Sequence, residues 1–528
     1  MKWYRRSITT STVVLALTLV ACSTPTQPTT APAQPPAASK PTDAPKPAAE
    51  AVKIYVYANS GQTGRGRPEG SDPARLAEVN AVFKKATGVE VVPIIPPGGA
   101  AATEKLNLLL SSPAEKLDVF QADWTQYADA VMPLNDLLQK HGPNITKAWP
   151  KESWARVTDA KGAIMGIPRI AILAPYPVYV RSDILKKLNL SAPKTLDEFE
   201  AYMKAYKASD PDAIPMITNL NGIRMGLAGA FTDFGHSNWL DKDGKMMPAE
   251  MQPGYKDLVA KLADWYQKGY INKDVIGETD LNKLRNVLKT QKVGASVAWY
   301  SVVTLGIPAV QQVNEAIQME AIADMTGPKG KAQTIDAGNA NTAVMLTKRA
   351  SNPEAIIKFI DWQYADLKNH LTADRGLEGA QWSFVDNPDV LKELAPNTKL
   401  VKAANYADTG YIGEGVMSLG IPLEKTYVIV DPQGKATQHF KYLNGPISNV
   451  SVGKFPADAN TSYDGRAIRK TFPNLGDFDR VRDEELIKFV TGSRPMSEWD
   501  KYLGELKTAG LDKWSEAYTT LYNAANKK

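Results

Sequence analysis

The stretch VKIYVYANSGQTGRGRPEGSDPARLAEVNAVFKKATGVEVVPII, residues 52–95, decides the fold class. Apolar residues alternate over Val52–Ala58 and again over Val89–Ile95, which predicts two strands. Pro73 marks the start of a helix between them, and Gly88 marks its end. Residues at helical spacing form the apolar face of that helix: Leu76, Val79, Val82 and Phe83. A strand, a helix and a second strand in this order predict a mostly parallel sheet covered by helices.

The same alternation continues along the chain. Further predicted elements follow in this order: a helix near Glu104–Leu110, strands at Asp118–Phe120, Ile164–Arg169 and Val178–Val180, a helix after Thr195, a helix at Tyr255–Tyr270, and a buried strand at 293–299. Thr195 and Glu198 form a capping box at the start of their helix. A hairpin is predicted around Asp241–Lys245. We therefore expect an α/β fold with two lobes, each a helix-covered mixed sheet.

Composition excludes several classes of protein. The chain has 528 residues, of which 43% are hydrophobic and 23% charged, as in ordinary globular proteins. A net charge of +5 with scattered Lys and Arg argues against a nucleic-acid partner. The four His residues are well separated and indicate no zinc site: His141, His236, His370 and His439. Gly64, Gly66 and Gly70 match no nucleotide-binding fingerprint, so we expect no cofactor.

Residues 1–22 have the features of a lipoprotein signal peptide. Positive charges precede an uncharged apolar run, Ile8–Val20, which is shorter than the about 20 residues that span a bilayer. The run ends at Leu19-Val20-Ala21-Cys22, which resembles the lipobox of bacterial lipoproteins. That resemblance implies lipidation of Cys22, the one Cys of the chain; an ordinary cleaved signal is the alternative.

Residues 23–50 predict a tether. Proline recurs among Ala and Thr without apolar periodicity, at Pro25, Pro28, Pro32, Pro35, Pro36, Pro41, Pro45 and Pro47. Such segments behave as extended spacers of roughly 3 Å per residue. We therefore expect a domain held outside the bacterial cell membrane by an N-terminal lipid.

Several segments resemble the family 1 extracellular solute-binding proteins, the carbohydrate-type lipoproteins of bacterial ABC importers. They are GIPRIAILAPYPVYVRSDILKKLNLSAPKTLDEFEAYMKAYK (166–207), KGYINKDV (268–275), SNPEAIIKFIDWQY (351–364), RGLEGAQW (375–382) and TGSRPMSEWDKYLGELKTAGLDKW (491–514). Their order along the chain is the family's order. Many relatives also carry a calcium-loop-like insert near the equivalent of Ser209–Pro215. Here that region is SDPDAIP, which has too few oxygen ligands, so we expect no metal.

The resemblance implies a periplasmic-binding-protein-like fold whose lobes are joined by hinge segments and close on a sugar. The hinges are expected near 168–176 and 324–340, with a further crossing near 376–384. The expected division is 51–168 (lobe 1), 169–330 (lobe 2), 331–378 (return to lobe 1) and 379–528 (remainder of lobe 2, ending in helices). The expected partners are a carbohydrate and the permease subunits of an ABC transporter, and the protein is expected to be a monomer.

Asp123 and Trp124 are the first candidates for a sugar site. They follow the predicted strand Asp118–Phe120, and ligands of open α/β sheets sit at strand ends. The Trp ring would pack on the sugar's C–H face, and the carboxylate would accept hydroxyl hydrogen bonds. The alternative is a Trp in the lobe core.

The remaining candidates come from loops that the resemblance places near the cleft. They are Trp299 and Tyr300 after the second buried strand, Asn59, Gln62 and Arg65 in the first Gly-rich loop, Arg169 and Tyr176 at the first crossing, Glu378 and Trp382 around the GLEG turn, and Trp239 before the Asp241–Lys245 hairpin. Trp299 has core packing as its alternative, and Trp239 has capping of the hairpin.

Two other functions stay open from the residues. A secreted glycoside hydrolase would need a paired acid and nucleophile, and no motif marks such a pair. A binding protein for peptides or another non-sugar solute could have the same fold, since fold does not settle the ligand. We expect a binding protein without catalytic residues.

Overall fold

The computed structural model describes residues 50–58, 69–97, 100–149, 151–159, 161–169, 176–322, 325–332, 342–392, 394, 396–413, 415–419, 426–430, 434–435 and 465–526. The first elements are β1 (Val52–Tyr57), α1 (Pro73–Thr87), β2 (Val89–Ile94), α2 (Ala100–Ser111), β3 (Val119–Asp123), α3 (Trp124–Tyr127), α4 (Asn135–His141), α5 (Pro143–Ala148), α6 (Lys151–Arg156) and β4 (Ile167–Pro168). The elements that follow are β5 (Val178–Arg181), α7 (Ser182–Lys187), α8 (Leu196–Ser209), β6 (Ile214–Thr218), α9 (Leu220–Leu227), β7 (Trp239–Leu240), β8 (Met246–Met247), α10 (Tyr255–Gln267), α11 (Leu281–Leu288), β9 (Val293–Val297), α12 (Ser301–Gln311) and β10 (Met319–Ile322).

The chain then continues with β11 (Thr342–Leu346), α13 (Pro353–Ala365), α14 (Leu367–Arg375), β12 (Trp382–Val385), α15 (Pro388–Leu391), β13 (Lys399–Ala403), α16 (Tyr406–Thr409) and β14 (Tyr427–Val430). Four helices end the described chain: α17 (Gly465–Thr471), α18 (Leu475–Thr491), α19 (Trp499–Thr508) and α20 (Leu511–Asn526). Short 3₁₀ helices occur at Ala228–Ala230, Ala249–Met251 and Met496–Glu498.

The first sheet has the strand order β2-β1-β3-β11-β4. Its first three strands are parallel, as the opening strand–helix–strand pattern predicts, whereas β11 runs antiparallel to both its neighbours. Helix α1 ends at Gly88, whose φ of 75° is the left-handed value that glycine adopts without strain. Phe83 of this helix packs edge-on against Phe359 of α13 with ring centroids 5.0 Å apart, so both helices cover the sheet.

The second sheet has the order β10-β5-β9-β6, in which β6 and β9 are parallel and β5 is antiparallel to its neighbours. The capping box predicted at Thr195 and Glu198 is confirmed at the start of α8. That helix buries Phe199 against Trp265 of α10, with ring centroids 6.0 Å apart. The hairpin predicted around Asp241–Lys245 is confirmed as the pair β7 and β8.

Two chain crossings connect these sheets, and they join neighbouring strand ends in each sheet. The first leaves β4 at Pro168, beside Ala343 of β11, and enters β5 at Val178. The second leaves β10 at Ile322, which pairs with that same Val178, and enters β11 at Thr342, which pairs with Asp123. The crossings therefore lie beside the end of β3 at Asp123 in the first sheet and beside the start of β5 in the second sheet.

The expected boundary at residue 379 does not fit the contacts. The side chain of Gln363 donates to the carbonyl of Met417 and accepts from the amide of Leu419, both at 2.8 Å. The hydroxyl of Tyr411 donates to the carbonyl of Ala373 at 2.9 Å. These hydrogen bonds keep residues 411–419 in the core of the first sheet, not in the second lobe.

The predicted crossing near 376–384 is likewise not found there. These residues lead into a third sheet of order β12-β13-β14. Trp382 shares its core with Leu371, which lies on the helix directly preceding the turn. The segment therefore continues beside the first sheet, because α14 and β12 bury their apolar faces against each other.

The C-terminal helices pack on the second sheet. Phe478 of α18 and Trp514 of α20 belong to the same core as Phe199 and Trp265. Helix α17 lies against α20 and also against α3, which begins directly after β3 of the first sheet. Within the described ranges, no helix combines the length and apolarity needed to cross a lipid bilayer.

Candidate functional site

Asp123 is half-buried at the end of β3 and caps the short helix that follows. Its Oδ1 accepts hydrogen bonds from the amide of Thr125 at 2.9 Å and from the Thr125 hydroxyl at 2.8 Å. Burial, together with the charge of Asp123, raises the pKa of the nearby Tyr127 hydroxyl. The carboxylate is thus fixed at the edge where the second crossing enters the first sheet.

Trp124 lies inside one of the hydrophobic cores that pack on the first sheet. Its side chain is 2% exposed and packs among Phe120, Val131 and Met345, while its indole N–H donates to the carbonyl of Arg156 at 2.8 Å. The prediction that this ring stacks on a sugar does not fit its burial, because both ring faces are covered by protein. The position of Trp124 agrees with the alternative, a Trp in the lobe core.

Tyr176 and Trp299 are brought together by the structure. Their ring centroids are 5.4 Å apart with an interplanar angle of 79°, and both side chains are half-buried. Tyr176 ends the first crossing and Trp299 follows β9, so two residues far apart in sequence form one aromatic pair at the edge of the second sheet. Aromatic side chains paired in this way offer a large apolar contact surface.

Tyr300 packs against Trp299 of this pair. Its ring is 5.5 Å from that of Trp299 at 46°, and its side chain is 7% exposed in a core that includes Val303. It is therefore a packing residue for Trp299 more than a surface for a ligand. Trp299, in contrast, is half-buried.

Strand pairing fixes the edge on which the aromatic pair lies. Val178 pairs with Val297, so the two residues that flank the pair are neighbours in the sheet. The hydroxyl of Thr218, at the end of β6, donates to the carbonyl of Val297 at 2.6 Å. Helix α9 starts immediately afterwards, capped by the Asn219 side chain, which accepts from the amide of Gly222 at 2.9 Å.

Arg169 is half-buried and directly follows β4, where the first crossing starts. One crossing therefore begins with a guanidinium and ends with the Tyr176 ring. The arrangement offers an aromatic surface, a cation and the Asp123 carboxylate at the strand ends that the crossings connect. Such a set can bind a polyhydroxylated ligand through its apolar face and its hydroxyl groups.

Three predicted residues lie elsewhere. Trp239 belongs to the β7–β8 hairpin, where it stacks on Phe234 at 6.1 Å and donates to the carbonyl of Pro248 at 3.3 Å. Trp382 is 2% exposed and donates to the carbonyl of Gly376 at 2.8 Å. Glu378 is exposed and forms an ion pair with Lys368 at 3.1 Å. The cleft-facing position considered for Trp382 does not fit, because the core it shares with Leu371 covers its ring.

Asn59, Gln62, Arg65 and the lipobox residue Cys22 lie outside the residues that the structure describes. The sequence analysis did not identify Gly226, a residue of α9 that lies beside Tyr176. The signal that could have found it is the spacing Gly222-Ile223-Arg224-Met225-Gly226 within a helix, since paired glycines mark a close backbone approach.

The region predicted to lack calcium has its charges engaged by protein groups. Asp212 forms an ion pair with Lys292 at 2.5 Å, and Asp210 accepts from the amide of Asp212 at 2.9 Å. Among the described residues, no three or more His, Cys, Asp and Glu side chains are grouped so that they could hold a metal ion.

Comparison with known proteins relates this architecture to a family. Residues 68–366 match the model of the bacterial extracellular solute-binding proteins. The chain is 23% identical over 384 residues to the polygalacturonan/rhamnogalacturonan-binding protein YtcQ of Bacillus subtilis, covering 68% of this chain and 70% of that protein. It is 27% identical over 420 residues to the fructooligosaccharide ABC transporter substrate-binding protein FusA of Streptococcus pneumoniae, covering 75% and 76%.

Among solved structures, the HMO-binding ABC-transporter-associated solute-binding protein of Bifidobacterium longum infantis superposes with a TM-score of 0.64 at 16% identity, covering 90% of this chain and 99% of that one. This likeness shows a shared two-lobed fold. Because the family model spans more than half of the chain, the protein belongs to the bacterial extracellular solute-binding proteins.

Proposed function

We propose that the protein captures a carbohydrate between its first and second sheets and delivers it to the permease of an ABC transporter. The observation that carries this proposal is the Tyr176–Trp299 pair, half-buried where the chain crossings meet the second sheet. A sugar presents a C–H face that packs on such rings, and its hydroxyl groups can bond to Asp123 and Arg169, which lie at the strand ends of the crossings. Asn59, Gln62 and Arg65 stay part of the proposed site on the resemblance alone.

The named relatives support a carbohydrate over a peptide. One curated relative is a polygalacturonan/rhamnogalacturonan-binding protein, and another binds fructooligosaccharides as part of an ABC transporter. The aromatic pair at the edge of the second sheet suits the shared chemistry of these ligands, which is a chain of sugar rings. An extended sugar chain would use several stacking surfaces along the gap between the sheets.

The proposal assigns the sheets to two lobes that move about the crossings. We place the described parts of residues 51–168 and 342–430 in the first lobe, because Gln363 and Tyr411 join residues 411–413 and 415–419 to its core. Residues 169–332, whose Ala332 lies in the core of the second sheet, and the C-terminal helices from residue 465 form the second lobe. Closure of the lobes would bring Asp123 of the first lobe towards the aromatic pair of the second.

The proposed role needs no chemical conversion of the sugar. The family consists of solute-binding proteins, and the Asp123 carboxylate is engaged as a helix cap. A hydrolase would require a second carboxyl group about 5–10 Å from the first across a glycosidic bond. We therefore propose binding without turnover, by a monomer.

The proposed location is the outer face of the bacterial cell membrane, with the protein attached through Cys22. The lipobox and the Pro-rich residues 23–50 support this anchor. Cys22→Ala should leave the protein unprocessed or released, because stable anchoring needs acyl chains that this variant cannot carry. Partition between detergent and aqueous phases tests it, and unchanged partition into detergent would contradict the anchor.

A thermal-shift screen tests the binding proposal. The full chain is melted with fructooligosaccharides, oligogalacturonides and neutral human-milk-type oligosaccharides in one arm, and with short peptides in the other. A carbohydrate at one hundred times its dissociation constant should stabilise the protein by about 2.7 kcal/mol, and peptides should not. Stabilisation by peptides alone, or release of shorter sugars in excess over protein, contradicts the proposal.

A further inference from the structure

Helix α9 lies directly against the aromatic pair, and a glycine allows it to do so. A methyl group built on Gly226 would lie 2.5 Å from Cγ1 of Val297 and 3.2 Å from the carbonyl oxygen of Tyr176. Carbon atoms in ordinary contact are about 3.5–4.0 Å apart. Any other residue at 226 must therefore displace the buried Val297 side chain, the Tyr176 segment or the helix itself.

These neighbours are the residues that hold the pair in place. Val297 is the last residue of β9, two positions before Trp299, and its side chain is fully buried. Tyr176 is itself a member of the pair. A shift at either contact would therefore move one ring relative to the other.

The opposite side of α9 is also fixed, so the helix cannot simply move away. The buried Arg224 guanidinium forms ion pairs with Glu250 at 3.6 Å and with Asp483 of α18 at 2.5 Å. Gly222, one turn before Gly226, is closer still to the strand: a methyl group there would be 2.0 Å from the carbonyl oxygen of Val297. Strain introduced at 226 is therefore directed towards Val297 and Tyr176.

We infer that Gly226 is a positioning residue for ligand binding: its lack of a side chain sets the geometry of the Tyr176–Trp299 pair. This inference rests on the proposed carbohydrate site. It assigns a role in affinity to a residue that need not touch the ligand. The close approach of α9 would then also influence which face of a sugar can pack on the two rings.

The test uses the full chain labelled with 5-fluorotryptophan. The Trp299 resonance is identified as the ¹⁹F signal lost in Trp299→Phe. Gly226→Ala should shift that resonance in the absence of any ligand, and should weaken binding of the best oligosaccharide from the screen by about five-fold or more. Gly504→Ala is the matched control, because a methyl group there meets no atom within 4 Å.

A second variant separates positioning from general damage. Val297→Ala removes the closest side-chain contact, so the double variant Gly226→Ala/Val297→Ala should return the resonance towards its original position and recover affinity to within about two-fold. An unshifted Trp299 resonance in Gly226→Ala overturns the inference, as does a lower melting temperature with unchanged affinity. If the unsubstituted protein binds no carbohydrate, the proposed function fails, while the ligand-free resonance still decides whether Gly226 positions the ring.

Discussion

Trp124 and Trp299 have the same local setting in the sequence, since each comes at or just after the end of a buried strand. Their environments differ because of contacts that are distant in sequence. Trp124 is covered by its core and bonded to Arg156, 32 residues away, whereas Trp299 stays half-buried beside Tyr176. Sequence alone could name both residues as candidates, but it could not decide which ring is buried in a core.

The burial of Trp124 predicts a loss of stability on truncation. Trp124→Ala should lower the free energy of unfolding by about 3–5 kcal/mol, because it leaves a cavity and removes the indole hydrogen bond to the Arg156 carbonyl. The folded fraction should bind its ligand with unchanged affinity. Urea denaturation and calorimetric titration of the same sample measure both quantities.

Trp299→Ala is the matched comparison for Trp124→Ala, since it truncates a half-buried ring and should cost less stability. A Trp124→Ala variant that melts normally but binds weakly would return Trp124 to the site.

At the scale of elements, local patterns identified most of the first sheet. The strands at 52 and 89, the helix ending at Gly88 and the capping box at Thr195 follow from the spacing of neighbouring residues, and each is found where expected. The antiparallel insertion of β11 between β3 and β4 was not predictable in this way. It depends on pairing between Thr342 and Asp123, which no local periodicity encodes.

The position of residues 379–430 was missed for the same reason. Their attachment to the core of the first sheet depends on contacts that are distant in sequence, such as the hydrogen bond of Tyr411 to Ala373 and the burial of Met417. The third sheet forms a small core of its own, so its apolar pattern fits either lobe equally well.

A buried ionic cluster joins α9 to the C-terminal helices. Glu250 has a side-chain exposure of 1% and lies 3.6 Å from both Arg224 and Arg482, and Arg482 also pairs with Asp479 at 3.0 Å. Burial and the charge of Glu250 act in opposite directions on the pKa of Arg482, and the net effect raises it. The guanidinium groups therefore stay charged and depend on their carboxylate partners.

Removing the central carboxylate should be costly. Glu250→Ala leaves two buried cations under-compensated and should lower the free energy of unfolding by about 3 kcal/mol. Asp389→Ala removes one partner of the exposed pair with Lys392 and is the control, with an expected change of about 0.5 kcal/mol or less. Urea denaturation compares the two variants, and equal losses would show that the cluster does not hold the helices in place.

At the scale of the whole molecule, the two crossings explain how the binding residues come together. Both crossings run between the Asp123 edge of the first sheet and the Val178 edge of the second. In the proposed closure, a rotation about them would move the sheets, while Arg169 and Tyr176, which bound the first crossing, would stay close to its axis. The resemblance located these crossings in the sequence, but only the strand pairing shows that they share the same two edges.

The most direct measurement is a calorimetric titration of the full chain with the oligosaccharide that stabilises it best. The unsubstituted protein should bind, and Trp299→Ala and Tyr176→Ala should each weaken binding by about 1–3 kcal/mol, or roughly 5- to 150-fold, since each removes a large apolar contact. Lys392→Ala, on the exposed pair far from the crossings in sequence, should bind normally. Full affinity in both aromatic variants would contradict a carbohydrate site at the Tyr176–Trp299 pair.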